Sequence, residues 1–426
     1  MKVFSMFDGV GGFIIGLNNA GEDTFQTLYS NQYEPSKKAQ DAFDVGVHRF
    51  PGIEHIGMDV AAIPNAKFEE MRERGVDMIV GGFPCQDYSV ARSKKHEMGI
   101  EGKKGVLFWQ IIRATEHIKP KYLVLENVDR LLKAPSKQRG RDFAVMLTAF
   151  NQLGYSVEWR VINAAEYGCA QRRRRVFFFI YRNDTAWARH LDQEFEGGDV
   201  SFETYKDYLL KKGLFARQFP VAEEPAKGRI HFNRLGDDIV EVSENFSDGK
   251  MWNSGVMRHG VFYTCETTPI FERAVTLGEI VQPDDEVDGR FYLSAEKVEK
   301  FKYLRGPKKL ERVSSEGHTY TYSEGGMSEF DSLDLPGRTM LTSEGTVNRS
   351  THFLKTDRGY RLLTPIEAER LQGFPDDWTR YKKNPETGEI EEVSDRMRWF
   401  FMGNALVTTI VTRIGKELKK IDDGQF

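Results

Sequence analysis

Residues 2–17, KVFSMFDGVGGFIIGL, decide the fold. The apolar run Val3 to Phe7 reads as a strand, Gly9-Val10-Gly11-Gly12 as a tight turn, and Phe13 to Leu17 as the start of a helix. Strand, glycine turn and helix in that order open a nucleotide- or nucleoside-binding βαβ unit. A turn without side chains lets the amides at a helix N-terminus come close to a ligand. The bland alternative is a plain tight turn.

The same alternation continues outward. Thr27 to Ser30 reads as a second short strand and Lys37 to Phe43 as a helix. An amphipathic segment, Phe68–Arg74, precedes a strand at Met78–Gly82, and a helix at Val106–Ile118 precedes a buried strand at Tyr122–Glu126. Val157–Val161 and Val176–Tyr181 form a later strand pair. Short apolar runs alternating with helical periodicity imply a mostly parallel, doubly wound α/β sheet. Near Asn183 the pattern breaks, and up to about Gly337 the chain is acidic, aromatic and turn-rich, as expected of a second domain of short strands and long loops. Helical periodicity returns at Pro365–Gln372. A hairpin is expected around Asn384–Gly388, and a last helix at Leu406–Leu418. The expected division is 1–182 for the first domain, with 395–426 returning to it, 183–357 for the second, and 358–394 as a connecting hinge.

Composition narrows the class. The 426 residues are 40% hydrophobic and 29% charged, the balance of a water-soluble globular protein. No apolar run approaches the ~18 residues of a membrane span, and the start reaches its glycines too soon for a signal peptide. Cys85, Cys169 and Cys265 are too few and too scattered for a disulfide framework or a tetrahedral zinc site, so no metal is expected and a reducing cytosolic compartment fits. The net charge of −4 conceals a basic patch: residues 92–142 hold 13 basic and 6 acidic side chains. Phosphate contacts are the functional reading of such a patch and a solvated face the bland one, preferred for Lys119 and Lys121.

Four motifs carry chemistry. The turn FDGVGG (7–12) is not GxGxxG, the usual pyrophosphate motif. A tight GxGG turn is more typical of a nucleoside-plus-amino-acid ligand such as S-adenosylmethionine. An acid normally follows about 20 residues on to hold the ribose. Here Gln32 stands there, followed by Tyr33, an aromatic able to stack on adenine or a plain surface residue. In Gly81-Gly82-Phe83-Pro84-Cys85-Gln86 a strand ends in Gly-Gly and a proline stiffens the turn that carries a cysteine. Most lone cysteines are small buried hydrophobes. The proline before this one and the polar Gln86–Ser89 after it favour a nucleophile at a strand end, where ligands sit in open α/β sheets. Glu126-Asn127-Val128 ends a buried strand, where desolvation can keep a carboxyl protonated for an acid role. Gln171-Arg172-Arg173-Arg174-Arg175 opens a strand, with Arg173 and Arg175 on one face by the period of two.

Together these residues resemble the DNA (cytosine-C5) methyltransferase family. The resemblance covers about residues 1–181 and 358–412 in the family's order: FDGVGG (7–12), GFPCQ (82–86), ENV (126–128), QRRRR (171–175), RLLTPIEAERLQGFPDDW (361–378) and GNALV (403–407). It implies a Rossmann-like S-adenosylmethionine-dependent methyltransferase sheet with a smaller mixed, strand- and loop-rich target-recognition domain. The implied catalytic residues are Cys85 as nucleophile, Glu126 at the cytosine N3 side, and Arg173 and Arg175, with Arg175 at O2. The implied donor site comprises Phe7, Asp8, Gly9, Gly11, Gly12, Gln32, Tyr33, Asp59 near the adenine amine, Pro84 and Asn404. Gln86, Ser89, Arg92 and Gln171 are the implied nucleic-acid contacts. One departure is Gln32, where the family usually has Glu: either the amide holds the ribose, or Glu34 does, or donor binding is weaker.

The expected reaction is methyl transfer to C5 of a flipped-out cytosine in a specific duplex sequence through a Cys85–C6 adduct, with S-adenosylhomocysteine as product. Thiolate addition makes C5 nucleophilic, and an acid at N3 stabilises the charge that develops in the ring. Target recognition falls by elimination to 183–357, with Arg229, Arg234, Arg258 and His259, and polar loops at Asn245 and Ser254, as candidate readers. The expected partner is double-stranded DNA, with a cognate restriction endonuclease as a candidate second partner and an orphan or phage role as the other setting. A cytoplasmic, nucleoid-associated monomer is expected. An RNA (tRNA) cytosine methyltransferase of the same architecture is the alternative, and the long second domain favours DNA. A non-enzymatic binder is disfavoured by the intact Cys85, Glu126, Arg173 and Arg175 set, and a nicotinamide dehydrogenase by the missing third glycine and Gln32.

Overall fold

The computed structural model describes residues 1–83, 107–196, 201–313 and 317–426. In chain order, β1 (Lys2–Met6), α1 (Gly12–Gly21), β2 (Gln26–Asn31), α2 (Asp41–Arg49), β3 (Glu54–Ile56), α3 (Asn65–Glu73), β4 (Val76–Gly82), α4 (Leu107–Ile118) and β5 (Tyr122–Asn127) form the parallel half. Then come α5 (Arg141–Gln152), β6 (Tyr155–Asn163), β7 (Arg174–Arg182), α6 (Ala186–Glu196), α7 (Phe202–Asp207), α8 (Leu214–Gln218), β8 (Ile230–Arg234), α9 (Ile239–Asn245), β9 (Ser254–Arg258) and β10 (Val261–Cys265). One ten-stranded sheet takes them in the order β3-β2-β1-β4-β5-β7-β6-β9-β10-β8. β1 to β5 pair in parallel, and β7 runs antiparallel to both β5 and β6.

The period of two assigns each strand residue to a layer. Phe4, Ile79, Leu123 and Leu125 face the core under α3, α4 and α5, with Phe68, Phe108, Ile111 and Phe143. Val3, Val80, Val124, Phe177 and Phe179 face the opposite core, closed by α1 and by the last helix, α14 (Thr408–Asp422), through Phe13, Leu17, Ile410, Ile414 and Leu418. Strands buried on both faces need near-continuous apolar sequence, which is why these runs were readable as strands. The expected doubly wound sheet is therefore present, but it is mixed rather than mostly parallel: four of its nine strand pairings are parallel and five, from β5–β7 onward, are antiparallel. The helix expected at Lys37–Phe43 begins later, at Asp41. The Gln40 side-chain amide binds the Glu34 amide and the Glu34 and Lys37 carbonyls, holding 34–40 as a turn.

The sheet runs past the expected boundary at residue 182. β9 pairs with β6, β10 with β9 and β8 with β10, so residues 230–265 extend the first domain's sheet. Helices α6 to α8 pack on it with Trp187, Leu191, Tyr208, Leu214 and Phe215 in the α14-side core. A separate layer begins at α10 (Leu277–Ile280) and continues through α11 (Ala295–Arg305), the hairpin of β11 (Lys308–Val313) and β12 (Thr319–Glu324), the hairpin of β13 (Leu354–Thr356) and β14 (Gly359–Arg361), α12 (Pro365–Leu371), the hairpin of β15 (Tyr381–Lys383) and β16 (Ile390–Glu392), and α13 (Asp395–Asn404). Two further cores fill it, one around Leu277, Leu363, Leu371 and Met402 that is shared with Val10, Ile15 and Val45 of the first domain, the other around Phe301 and Phe353. The expected 384–388 turn does join a hairpin.

Candidate active site

The site lies where the strand order reverses. The chain leaves β1 for β2 and β3 on one side and returns as β4 and β5 on the other, so a crevice opens past the C-terminal ends of β1 and β4. Met6 is paired with Gly81 there, and a Cβ on Gly81 would stand 2.7 Å from the Met6 carbonyl oxygen. Only glycine lets the two strands close at this point. The loop leaving β1 turns through positive φ at Phe7, Gly9 and Gly11. Gly11, at φ 90°, precedes α1 and lies against the Phe50 ring, 2.4 Å from where a Cβ would be.

Neighbouring elements fix this loop. Gln32, at the end of β2, accepts the Gly9 N–H through Oε1 at 2.8 Å. The residue that departs from the family's usual Glu therefore braces the glycine loop. The Trp378 indole donates to the Val10 carbonyl at 2.8 Å, and Phe374 and Leu406 lie over Gly12. These contacts bring the 361–378 and 403–407 blocks onto the first glycine turn. Asp8 is buried, accepts from Ser5 Oγ at 2.6 Å, and burial pushes its carboxyl up to about 7. Tyr33 is 39% exposed beside the crevice. Asp59 follows β3 and caps a short 3₁₀ turn through the Ala61 N–H. Asn31 ties the end of β2 to the Ile56 and Met58 carbonyls, just before Asp59. Asn404, the last residue of α13, is exposed.

The charged half of the site is next to β4. Gly82 pairs with Glu126 at the end of β5. Glu126 is ion-paired with Arg175 at 2.9 Å, with side-chain exposures of 13% and 19%. Burial raises the Glu126 carboxyl, opposed by the charges of Arg175 and Arg173. Arg173 is 3% exposed and donates to the Met340 and Gly403 carbonyls at 3.1 Å each. Burial, with Arg175's charge beside it, pulls its guanidinium down to about 9. Arg173 thus binds the start of β7 to the layer over it, while Arg175 faces the carboxylate. Asn127 donates to the Phe83 carbonyl at 2.9 Å, clamping the chain where it leaves β4. Pro84, Cys85, Gln86, Ser89 and Arg92 lie outside the described residues.

Several expected contacts belong to the interior instead. Gln171 is fully buried: its carbonyl oxygen accepts the Met340 N–H and its NH₂ donates to the Leu371 carbonyl. A side chain so enclosed cannot meet DNA, and it braces the segment before β7. Arg258 is 1% exposed and binds Tyr181 and Asp192, and Ser254 is fully buried, so neither is free to read bases. Arg229 pairs with Glu266. From the basic patch, Arg113 donates to the Val60 and Ile63 carbonyls and Arg141 pairs with Asp142. Cys169 and Cys265 are buried, and burial pushes their thiols up to about 12 and about 11, so both are inert packing residues. Among the described residues no cluster of His, Cys, Asp and Glu could hold a metal, and no helix is long and apolar enough to cross a membrane. The braces at Gln32, Asn127 and Trp378 were not foreseen as such, although ENV and the 361–378 block were the signals for two of them.

A doubly wound sheet with a glycine turn at its switch point, and a buried acid–arginine pair one strand away, is a methyltransferase-like arrangement. The model of the C-5 cytosine-specific DNA methylase family matches residues 1–420, and the chain belongs to that family. It is thus a DNA (cytosine-5) methyltransferase. It is 53% identical over 422 residues to the type II methyltransferase M.Sau3AI of Staphylococcus aureus, covering 99% of this chain and 96% of that one. It is 25% identical to the orphan methyltransferase M.SPRI of Bacillus phage SPR, covering 98% and 97%. Among solved structures, a DNMT2 of Spodoptera frugiperda superposes with a TM-score of 0.56 at 14% identity, covering 98% of this chain and 99% of that one, a likeness of fold.

Proposed function

We propose that this chain methylates C5 of a cytosine flipped out of double-stranded DNA at a specific sequence, through a bond between the Cys85 sulfur and cytosine C6. The observation that carries the reading is the Glu126–Arg175 pair: a buried carboxyl with raised pKa beside a guanidinium, at the strand end opposite Gly82, three residues before Cys85. A duplex base cannot reach such a crevice, so flipping is required, at a cost of a few kcal/mol.

Each residue has a part. Cys85 adds as thiolate to C6 and is eliminated at the end, when C5 gives up its proton. Positive charge nearby lowers a thiol's pKa, and Arg173 and Arg175 are the described groups that would supply it. Glu126 holds a proton or hydrogen bond at N3, so that charge developing in the ring is met in a water-poor site. Arg175 serves O2, and Arg173 is a positioning residue. S-adenosylmethionine, when bound, supplies an electrophilic methyl group and leaves as S-adenosylhomocysteine. Phe7, Asp8, Gly9, Gly11, Gly12, Gln32, Tyr33, Asp59, Pro84 and Asn404 would hold it. The open space over Gly9, where a Cβ would have nothing within 4 Å, and the half-exposed Tyr33 ring suit a nucleoside. Gln86, Ser89 and Arg92 contact DNA, and sequence reading belongs to the part of 183–357 beyond the sheet, from residue 277 onward, with 358–394 as the hinge.

The match to M.Sau3AI runs through that part too, so we propose that the two share a target site and that this chain acts as a cytoplasmic monomer at the nucleoid beside a cognate endonuclease. The relatives favour DNA over RNA as substrate. Labelled S-adenosylmethionine offered with duplex DNA and tRNA side by side should label the DNA alone; label on the tRNA alone would overturn the reading. Bisulfite sequencing of DNA from cells expressing each enzyme should give one shared consensus.

A further inference from the structure

We infer that the β11–β12 hairpin is the ribbon that reads base edges, with Arg312 as a specificity-determining residue. The inference deepens the DNA-methylation reading and rests on it. Both strands are exposed almost throughout, on both faces, although they carry Leu310 at 41%, Val313 at 66% and Tyr320 at 47% exposure. Among the described residues nothing packs on either face; a bare two-stranded ribbon is marginal in water, and we read this one as built for something outside the chain. Duplex DNA is the occupant that fits. A major groove about 12 Å wide admits a two-stranded β-ribbon. The hairpin is charge-balanced, Lys308, Lys309 and Arg312 against Glu311, Glu316 and Glu324, and Lys308 is paired with Glu324, so an exposed arginine rather than net charge is what it offers to DNA.

Register separates the faces. Leu310 is opposite Tyr322 and Arg312 opposite Tyr320, so these four share one face, while Lys309, Glu311 and Val313 share the other with Ser323, Thr321 and Thr319. On the first face the Arg312 guanidinium lies 3.9 Å from the centre of the Tyr322 ring. Stacking holds the arginine in a narrow set of orientations and leaves its N–H edge outward. A rigid, outward guanidinium is the group that pairs with guanine O6 and N7.

The ribbon's root is joined to the catalytic rim. Glu324 pairs with Arg349 at 2.6 Å and with Lys308 at 3.7 Å. Arg349 belongs to the loop that starts at Met340 and Leu341, whose backbone meets Arg173 and Gly403. A duplex whose cytosine reaches Glu126 therefore lies against the layer from which the ribbon rises.

The test uses plasmid DNA from cells expressing the full chain or Arg312→Ala, sequenced after bisulfite treatment. The wild type should give one consensus, and R312A the same consensus relaxed at one base pair, with about 10- to 100-fold less discrimination there. An unchanged consensus with uniformly weaker methylation, and a salt slope reduced by about one, would make Arg312 a phosphate contact and overturn the inference. Lys309→Ala, on the other face, should keep the consensus, and relaxation in K309A alone would also overturn it. If R312A fails to fold, Tyr322→Ala, which removes the ring that Arg312 stacks on, gives the same readout. Absence of methylated cytosine with the wild type would instead defeat the reading of the enzyme itself.

Discussion

Two glutamates on one sheet end up in different trades. Glu158, in β6, and Glu126, in β5, are both held above the usual carboxylate range by burial. Glu158 is fully enclosed and answered on every side: it accepts from Tyr208 Oη at 2.9 Å and from the Leu214 and Phe215 amides at the start of α8. Arg160, two residues on along the same face, binds the Leu209 and Phe219 carbonyls. Glu126 sits at the end of β5, and among the described residues its one ionic partner is Arg175. Burial alone therefore does not mark a functional acid. What marks a candidate is burial at the C-terminal edge of a parallel strand, where ligands sit in open α/β sheets.

Substitutions at the two sites should separate these roles. Glu126→Gln should lower kcat by about 10²- to 10⁴-fold at neutral pH, the range of a lost general acid, and leave the melting temperature within a few degrees of wild type. A large loss of stability with normal turnover would make Glu126 the structural member of the pair. Glu158→Gln should do the reverse. It leaves a donor facing the α8 amides and should cost about 1–3 kcal/mol of stability, seen as an earlier denaturant midpoint, while kcat of the folded enzyme holds.

A smaller effect is expected at Asp8. Its folded pKa, about 7, is above the ordinary carboxylate value of about 3.9. The folded state therefore binds the proton more tightly than the unfolded chain. The associated stability is present below about pH 4 and is lost as pH rises through about 7. Melting temperatures recorded between those limits should fall with pH in the wild type and fall less in Asp8→Asn. Equal slopes would place the titration elsewhere.

The comparison also explains what could be read in advance. The parallel half was legible because strands buried on both faces must be continuous apolar runs. The glycine turn was legible because its spacing fixes what the backbone can approach. β8 was not, since IHFNR is exposed edge sequence, and β9 and β10, though buried, read only as short strands of a second domain because their pairing with the distant β6 is invisible in the sequence. Polarity misled in the same way. Gln171 and Arg258 look like surface residues until Met340, Leu371, Tyr181 and Asp192 are seen around them. Residue type was visible in the sequence and partners were not. Arg173 and Arg175, two positions apart on one face, divide into a backbone clamp and a partner of the acid for that reason.

The central claim is a transient bond between the Cys85 sulfur and a cytosine ring. A duplex carrying 5-fluorocytosine at the target, mixed with enzyme and S-adenosylmethionine, tests it most directly, because fluorine at C5 prevents the final elimination. The wild type should give a complex that survives denaturation, with the mass of protein plus methylated duplex, and Cys85→Ala should give none. A wild-type enzyme that releases the duplex intact on denaturation, or a Cys85→Ala protein that still traps it, would contradict the account.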